Sequence, residues 1–347
     1  MTGTTVATPH RLRFVAPPGS RVAWPSAFGR RFLVTIDVEE EFDWSQPFSS
    51  AAGGVTAIGA LPAMHRRLER AGIAPVLFVD HPVATDPRAA DCLRGLLTNG
   101  TAIGAQLHPW VNPPFEEEAG PLTSFAGNLP PALEAAKLDA LVAAIEQGTG
   151  VRPVAFRAGR YGLGPHTLAL LASRGFVVDS SMRARHDYRR QGGADFTWVG
   201  SNAFRPAPGL IELPLTSIFT GGARAMGPTL HRWAGSVPRG RGLLARSRLL
   251  SRVPLTPEGV PAVEALRAIA CAADDGERLL VLSFHSPSLV PGHTPYVRDA
   301  GDLARFLDWW DVVLPALAAA GYAPVSLAEV LAAAGGTVGP AGLEPAT

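Results

Sequence analysis

Short apolar runs, each ending in a charged or hydrogen-bonding residue, alternate along this chain with stretches whose apolar residues recur every three or four positions. The runs predict buried strands near residues 32–36, 75–79, 102–105, 153–156, 176–178, 210–215, 279–284 and 323–325. The three- and four-residue intervals predict helices over 61–71, 88–97, 132–147, 165–174, 261–273, 302–320 and 327–334. Strand and helix thus alternate repeatedly, which is the signature of an α/β fold with parallel strands. A sheet closed into a barrel is the economical architecture. An open doubly wound sheet is the alternative, but no GxGxxG follows the first strand to mark a nucleotide site.

Irregular regions flank and interrupt these elements. Residues 1–30 read as an irregular lead-in, 31–334 as one barrel domain, and 335–347 as a flexible Gly-rich tail. The proline-rich stretch 111–131 is expected to cross one face as a long loop, a length usually kept for function. In the Arg- and Gly-rich stretch 217–257 a helix is expected over 243–250, its basic face solvated.

Composition narrows the class. Hydrophobic residues make up 47%, enough for a large core, and a net charge of +1 offers no basic excess for nucleic acid. Cys92 and Cys271 belong to no CxxC motif and read as core thiols of a reduced, cytoplasmic protein. No run approaches the roughly 18 apolar residues of a membrane span.

The ends of the predicted strands carry the chemistry. Asp37 and Glu39, Asp80 and His81, His108, Arg157, Asp179 and His285 each follow an apolar run. In parallel α/β folds the carboxyl ends of strands share one rim, where an active site forms. Carboxylates and imidazoles together suit metal-assisted hydrolysis: some bind a divalent ion and others move protons. Glu40, Glu41 and Asp43 are expected to form a solvated acidic turn. Trp44, Trp110 and Tyr161, near the rim, read either as packing residues or as flat faces for a ligand ring.

Four stretches, in order, resemble motifs one, three, four and five of the polysaccharide deacetylases, carbohydrate esterase family 4. They are Thr35-Ile36-Asp37, Phe156-Arg157-Ala158-Gly159-Arg160-Tyr161-Gly162, Asp179-Ser180-Ser181 and Leu282-Ser283-Phe284-His285-Ser286. The resemblance spans about residues 32–330. It implies a distorted (β/α) barrel of about seven parallel strands, and a metal-dependent hydrolase that removes acetyl groups from N-acetylated amino sugars of a bacterial surface polysaccharide or glycolipid precursor. It makes Asp37 the catalytic base and His285 the general acid. Arg157 and Asp179 become their charged partners, with Asp179 beside His285.

Two departures bear on the metal, which the resemblance implies to be divalent, zinc by preference. Val38 stands where the family has a second Asp, so Glu39 is the substitute ligand. His108 is the one histidine of the second motif, with the third ligand open among His81, Glu40, Gln106 and Asn112. Trp110 and Tyr161 are the expected substrate contacts. A same-fold amidase or deformylase, a non-catalytic sugar-binding module, and a glycosidase using Asp37 with Glu39 or Glu40 are the competing readings.

Overall fold

In the first long strand every second residue faces the same side, and that parity positions the site. The computed structural model describes residues 12–51 and 53–335; the start of the lead-in and all but the first residue of the tail lie outside them. Its strands, in chain order, are β1 (Arg30–Val38), β2 (Val76–Val79), β3 (Ala102–Leu107), β4 (Ala155–Ala158), β5 (Val178–Asp179), β6 (Phe204–Ala207), β7 (Leu210–Glu212), β8 (Ser217–Thr220), β9 (Ser251–Pro254), β10 (Leu279–His285) and β11 (Tyr322–Pro324). On β1, Phe32, Val34, Ile36 and Val38 pack into a core shared with the helices, whereas Leu33 packs into the core inside the sheet. Side chains alternate along a strand, so Thr35 and Asp37 share the interior side with Leu33.

The main sheet runs β10-β1-β2-β3-β4-β5-β7-β6, and β11 pairs with the first residues of β1. Every pairing in it is parallel except β6 with β7. The sheet curls until the segment after β7 meets β10. There the Thr216 N–H donates to the Val281 carbonyl at 3.1 Å, and the Val281 N–H donates to Thr216 Oγ1 at 2.8 Å. The result is a distorted α/β barrel whose last seam is an irregular segment rather than a strand. Parallel register places Asp37 opposite His285 and Gln106 opposite Arg157 at the carboxyl rim.

The helices expected from periodicity all form, with ends shifted by a few residues; the third, for example, is Pro131–Thr149. Three segments differ from expectation, the first being β6, which forms where no strand was expected. Residues 217–257 hold an antiparallel pair, β8 with β9, joined through two short helices, Gly227–Ala234 and Gly240–Arg246, where one helix over 243–250 was expected. His81 opens a short helix, His81–Thr85, capped by Asp80, instead of hanging at a strand end. The described part of the lead-in contributes to the interior core through Val22 and Phe28. Cys92 and Cys271 are both free and half-buried. No helix among the described residues is long and apolar enough to cross a membrane.

Candidate active site

Asp37 is fixed first. Arg157, fully buried on β4, donates to Asp37 Oδ1, to Thr35 Oγ1 (2.9 Å), and from Nε to the Ser180 carbonyl (3.1 Å). Its guanidinium lies 4.2 Å from the ring centre of Phe78. Phe78 can lie there because position 104 on the next strand is glycine: a Cβ would come within 2.5 Å of the ring. A buried cation with this many partners cannot swing away, so one oxygen of Asp37 is pinned and the other faces the rim.

That second oxygen meets His285, whose Nε2 lies 3.5 Å from Asp37 Oδ2. The far side of the imidazole belongs to Glu258. Its Oε2 is 2.7 Å from Nδ1, while its Oε1 accepts the His285 backbone N–H (3.1 Å) and the Ser288 hydroxyl (2.5 Å). Burial pushes the imidazole toward neutrality, but the carboxylates of Glu258, Glu39 and Asp37 outweigh it and hold His285 well above its ordinary value. Glu258, which the sequence reading missed, therefore fills the place expected of Asp179. Val178 packs inside the sheet, so strand alternation turns Asp179 to the other face. There Asp179 bonds Ser181 and pairs with Glu212, both carboxyls raised by burial.

The second cluster gathers residues just past the ends of β1, β2 and β3. Glu40, expected in a solvated turn, is buried: its Oε2 stands 2.8 Å from His108 Nδ1 and its Oε1 accepts the Trp110 indole N–H at 2.9 Å. Its own N–H donates to Asp80 at 2.7 Å. A carboxylate accepting from both sides fixes the His108 proton on Nδ1 and leaves the Nε2 lone pair free. That lone pair faces Glu39 Oε2 at 3.5 Å and the Gln106 amide at 3.2 Å. His108 fits so tightly because position 159 is glycine, where a Cβ would lie 2.2 Å from its Cδ2.

These donors fit a divalent ion. Two ligands held about 2.1 Å from one tetrahedral ion sit roughly 3.4 Å apart, and Glu39 and His108 present theirs at 3.5 Å. Burial raises Glu39 to about 8. Gln106 Oε1 is buried without a partner in the same place. Of the four candidates for a third ligand, only Gln106 shares the cavity with Glu39 and His108. Glu40 bonds the wrong nitrogen, Asn112 lies outside the cavity lining, and His81 sits on its helix.

Asp37, Glu39, Gln106, His108, Arg157 and His285 line one cavity of about 330 Å³. No family model matches the chain, and no curated relative does. Solved structures do. A Mycobacterium smegmatis protein provisionally named a polysaccharide deacetylase is 19% identical, with 90% of this chain and 98% of that one covered at a TM-score of 0.49. The chitin deacetylase of Colletotrichum lindemuthianum is 12% identical, covering 95% and 94% at 0.43. The 4-alpha-glucanotransferase of Thermococcus litoralis is 9% identical, covering 88% of this chain and 40% of that one at 0.47. The functional reading rests instead on this chain's own side chains.

Those side chains also form the upper wall. Tyr161 lines the cavity, alongside Tyr188, Arg160 and Arg183. Arg160 and Tyr161 both adopt positive φ, 54° and 61°, a region costing a non-glycine residue about 1–2 kcal/mol. Neither Arg160 nor Arg183 has a carboxylate partner among the described residues. Trp110 is not on this wall. It is buried, stacked 4.4 Å from His108, and covered by Phe42 and Phe48, because Pro109 turns the chain inward. Trp44 stands exposed at the rim.

Proposed function

We propose that this chain is a hydrolase of amide bonds that removes acetyl groups from N-acetylated amino sugars of a surface polysaccharide or glycolipid precursor. A divalent ion, zinc by the donor set of carboxylate and imidazole, would be held by Glu39 and His108 with Gln106 beside them. Bound there, such an ion supplies a Lewis acid that polarises the substrate carbonyl and acidifies water. Both cysteines are unpaired, which suits the reducing cytoplasm as the proposed location.

One observation carries the reading: Asp37 and His285 face each other at 3.5 Å, each held from behind by a partner of opposite charge. Arg157 holds and aims Asp37 through Oδ1, so Oδ2 accepts the proton of the attacking water. Glu258 keeps His285 protonated, so Nε2 donates to the amide nitrogen as the C–N bond breaks. A base and an acid with opposite starting charge states are what hydrolysis of an amide demands, since the amine leaves only when protonated. Tyr161, Tyr188 and the rim aromatic Trp44 offer faces for a sugar ring.

The test is acetate release from N-acetylglucosamine oligosaccharides by the purified, zinc-loaded chain, compared with Asp37→Asn. Release by the wild type and none by the variant, with an unchanged circular dichroism spectrum, is expected. Equal turnover by both would reject the assignment of Asp37.

A further inference from the structure

Residues 221–250 leave the barrel between β8 and β9 and carry six arginines and no acidic residue. The helix Gly240–Arg246 buries none of its residues, so the core does not explain why it is there. Among the described residues, five of the thirteen exposed large hydrophobic side chains fall in this excursion: Met226, Trp233, Val237, Leu243 and Leu249, with Trp233 64% and Leu243 59% exposed. Scattered singly such residues mean little, but gathered on one excursion they mark a contact surface.

The charge is largely uncompensated. Arg224 pairs with Asp274 and Asp275 across the surface. Arg239, Arg246 and Arg248 are exposed and form no ion pair among the described residues. Arginines interleaved with exposed Trp and Leu are the composition of a segment that lies in a membrane interface, cations on lipid headgroups and apolar side chains among the upper acyl carbons. A soluble polyanion would satisfy the arginines and leave Trp233 and Leu243 in water. A second copy of the chain would bring the same six positive charges against them.

We propose that the 221–250 excursion seats this protein on the surface of an anionic lipid bilayer, without crossing it. The placement has a consequence for the cavity. Arg190 and residues 234–242 line one shallow recess, and Tyr188 and Gln191, on the same loop as Arg190, line the catalytic cavity. Seating the excursion would therefore bring the cavity wall close to the bilayer. The proposal is independent of the reaction assigned above, because it concerns lipid binding alone.

Co-sedimentation of the full chain with vesicles tests it, using phosphatidylcholine alone and phosphatidylcholine mixed with phosphatidylglycerol. The expected result is binding to the mixed vesicles only, weakened by salt. Replacing Arg239, Arg246 and Arg248 together by Gln should cut partitioning roughly a hundredfold, taking each cation near the surface as about fivefold. Trp233→Ser with Leu243→Ser should weaken it with all charges retained. These side chains are exposed, so circular dichroism and acetate release should stay at wild-type values. Absence of binding, equal binding to both vesicles, a triple variant that binds as wild type, or a light-scattering mass showing that the same variants dissociate a dimer would overturn the proposal.

Discussion

Glu258 accepts two hydrogen bonds from His285, one from the backbone N–H at 3.1 Å and one from ring Nδ1 at 2.7 Å. The backbone bond anchors the carboxylate and the ring bond then has no freedom to wander. This leaves Nε2 aimed at Asp37, whose other oxygen is held by Arg157. Two charged pairs of opposite polarity thus meet across one gap, and the proton needed at the leaving nitrogen is stored beside the base that takes one from water.

Glu258→Gln should lower kcat/KM about a hundredfold, the low end of what a general acid contributes. The sign of the pH effect follows from charge. The carboxylates raise His285, so removing one lets its pKa fall, and the alkaline limb of the kcat/KM profile should move to lower pH. Asp179→Asn, on the opposite face of its strand, should leave that limb where it is. A limb that shifts in the Asp179 variant and not in the Glu258 variant would restore the original pairing.

Glu40→Gln probes the metal site from behind. Gln still accepts one bond, yet it no longer fixes the His108 proton on Nδ1, so Nε2 is a poorer donor. Loss of such an outer partner typically costs 10–100-fold in metal affinity. Competition with a chromophoric zinc chelator measures it, and an unchanged affinity would show that His108 is not a ligand.

Gly159→Ala should displace His108, because the new methyl would lie 2.2 Å from its ring and 2.6 Å from the Leu107 carbonyl. Overpacking of this kind costs about 1–3 kcal/mol. Urea unfolding should report that loss, and zinc binding should fall with it. Gly209→Ala meets no neighbour within 4 Å but carries a positive φ of 76°; it should lose stability without losing zinc.

What the sequence disclosed follows the range of the interaction. Asp37, Arg157 and His285 were legible because each ends an apolar run, and parallel strands bring such ends to one rim whatever the loops do. Asp179 was misplaced because β5 spans only two residues, too few to read which side faces in. Glu258 lies in Thr256-Pro257-Glu258-Gly259, a stretch with no period, and it reaches His285 only through the tertiary fold. One signal was present: it is the single acidic residue between Glu212 and Glu264. Glu40 was lost within a charge run, where only its buried partners, His108 and Trp110, distinguish it from its solvated neighbour Asp43.

Away from the site, Glu134 gives the clearest dependence of stability on pH. It lies buried in the first turn of helix Pro131–Thr149, where the Thr167 hydroxyl donates to it and Thr167 Oγ1 itself accepts the Gly164 N–H at 2.9 Å. Burial raises it to about 7, with Thr167 and Arg174 offsetting only part of the effect. In the unfolded chain it titrates near 4.3. Between those values the native state therefore holds a proton that the unfolded state has released, so this group's stabilisation is complete below about 4.3 and is lost as pH rises through about 7. The loss is at most about 4 kcal/mol, from roughly 1.4 kcal/mol for each of about 2.7 pH units. Glu134→Gln keeps the acceptor for Thr167 and removes the titration. Urea stability measured at about pH 5 and about pH 8 should then fall less in the variant than in the wild type. Equal falls in the two proteins would show that Glu134 is ionised in the native state throughout that range.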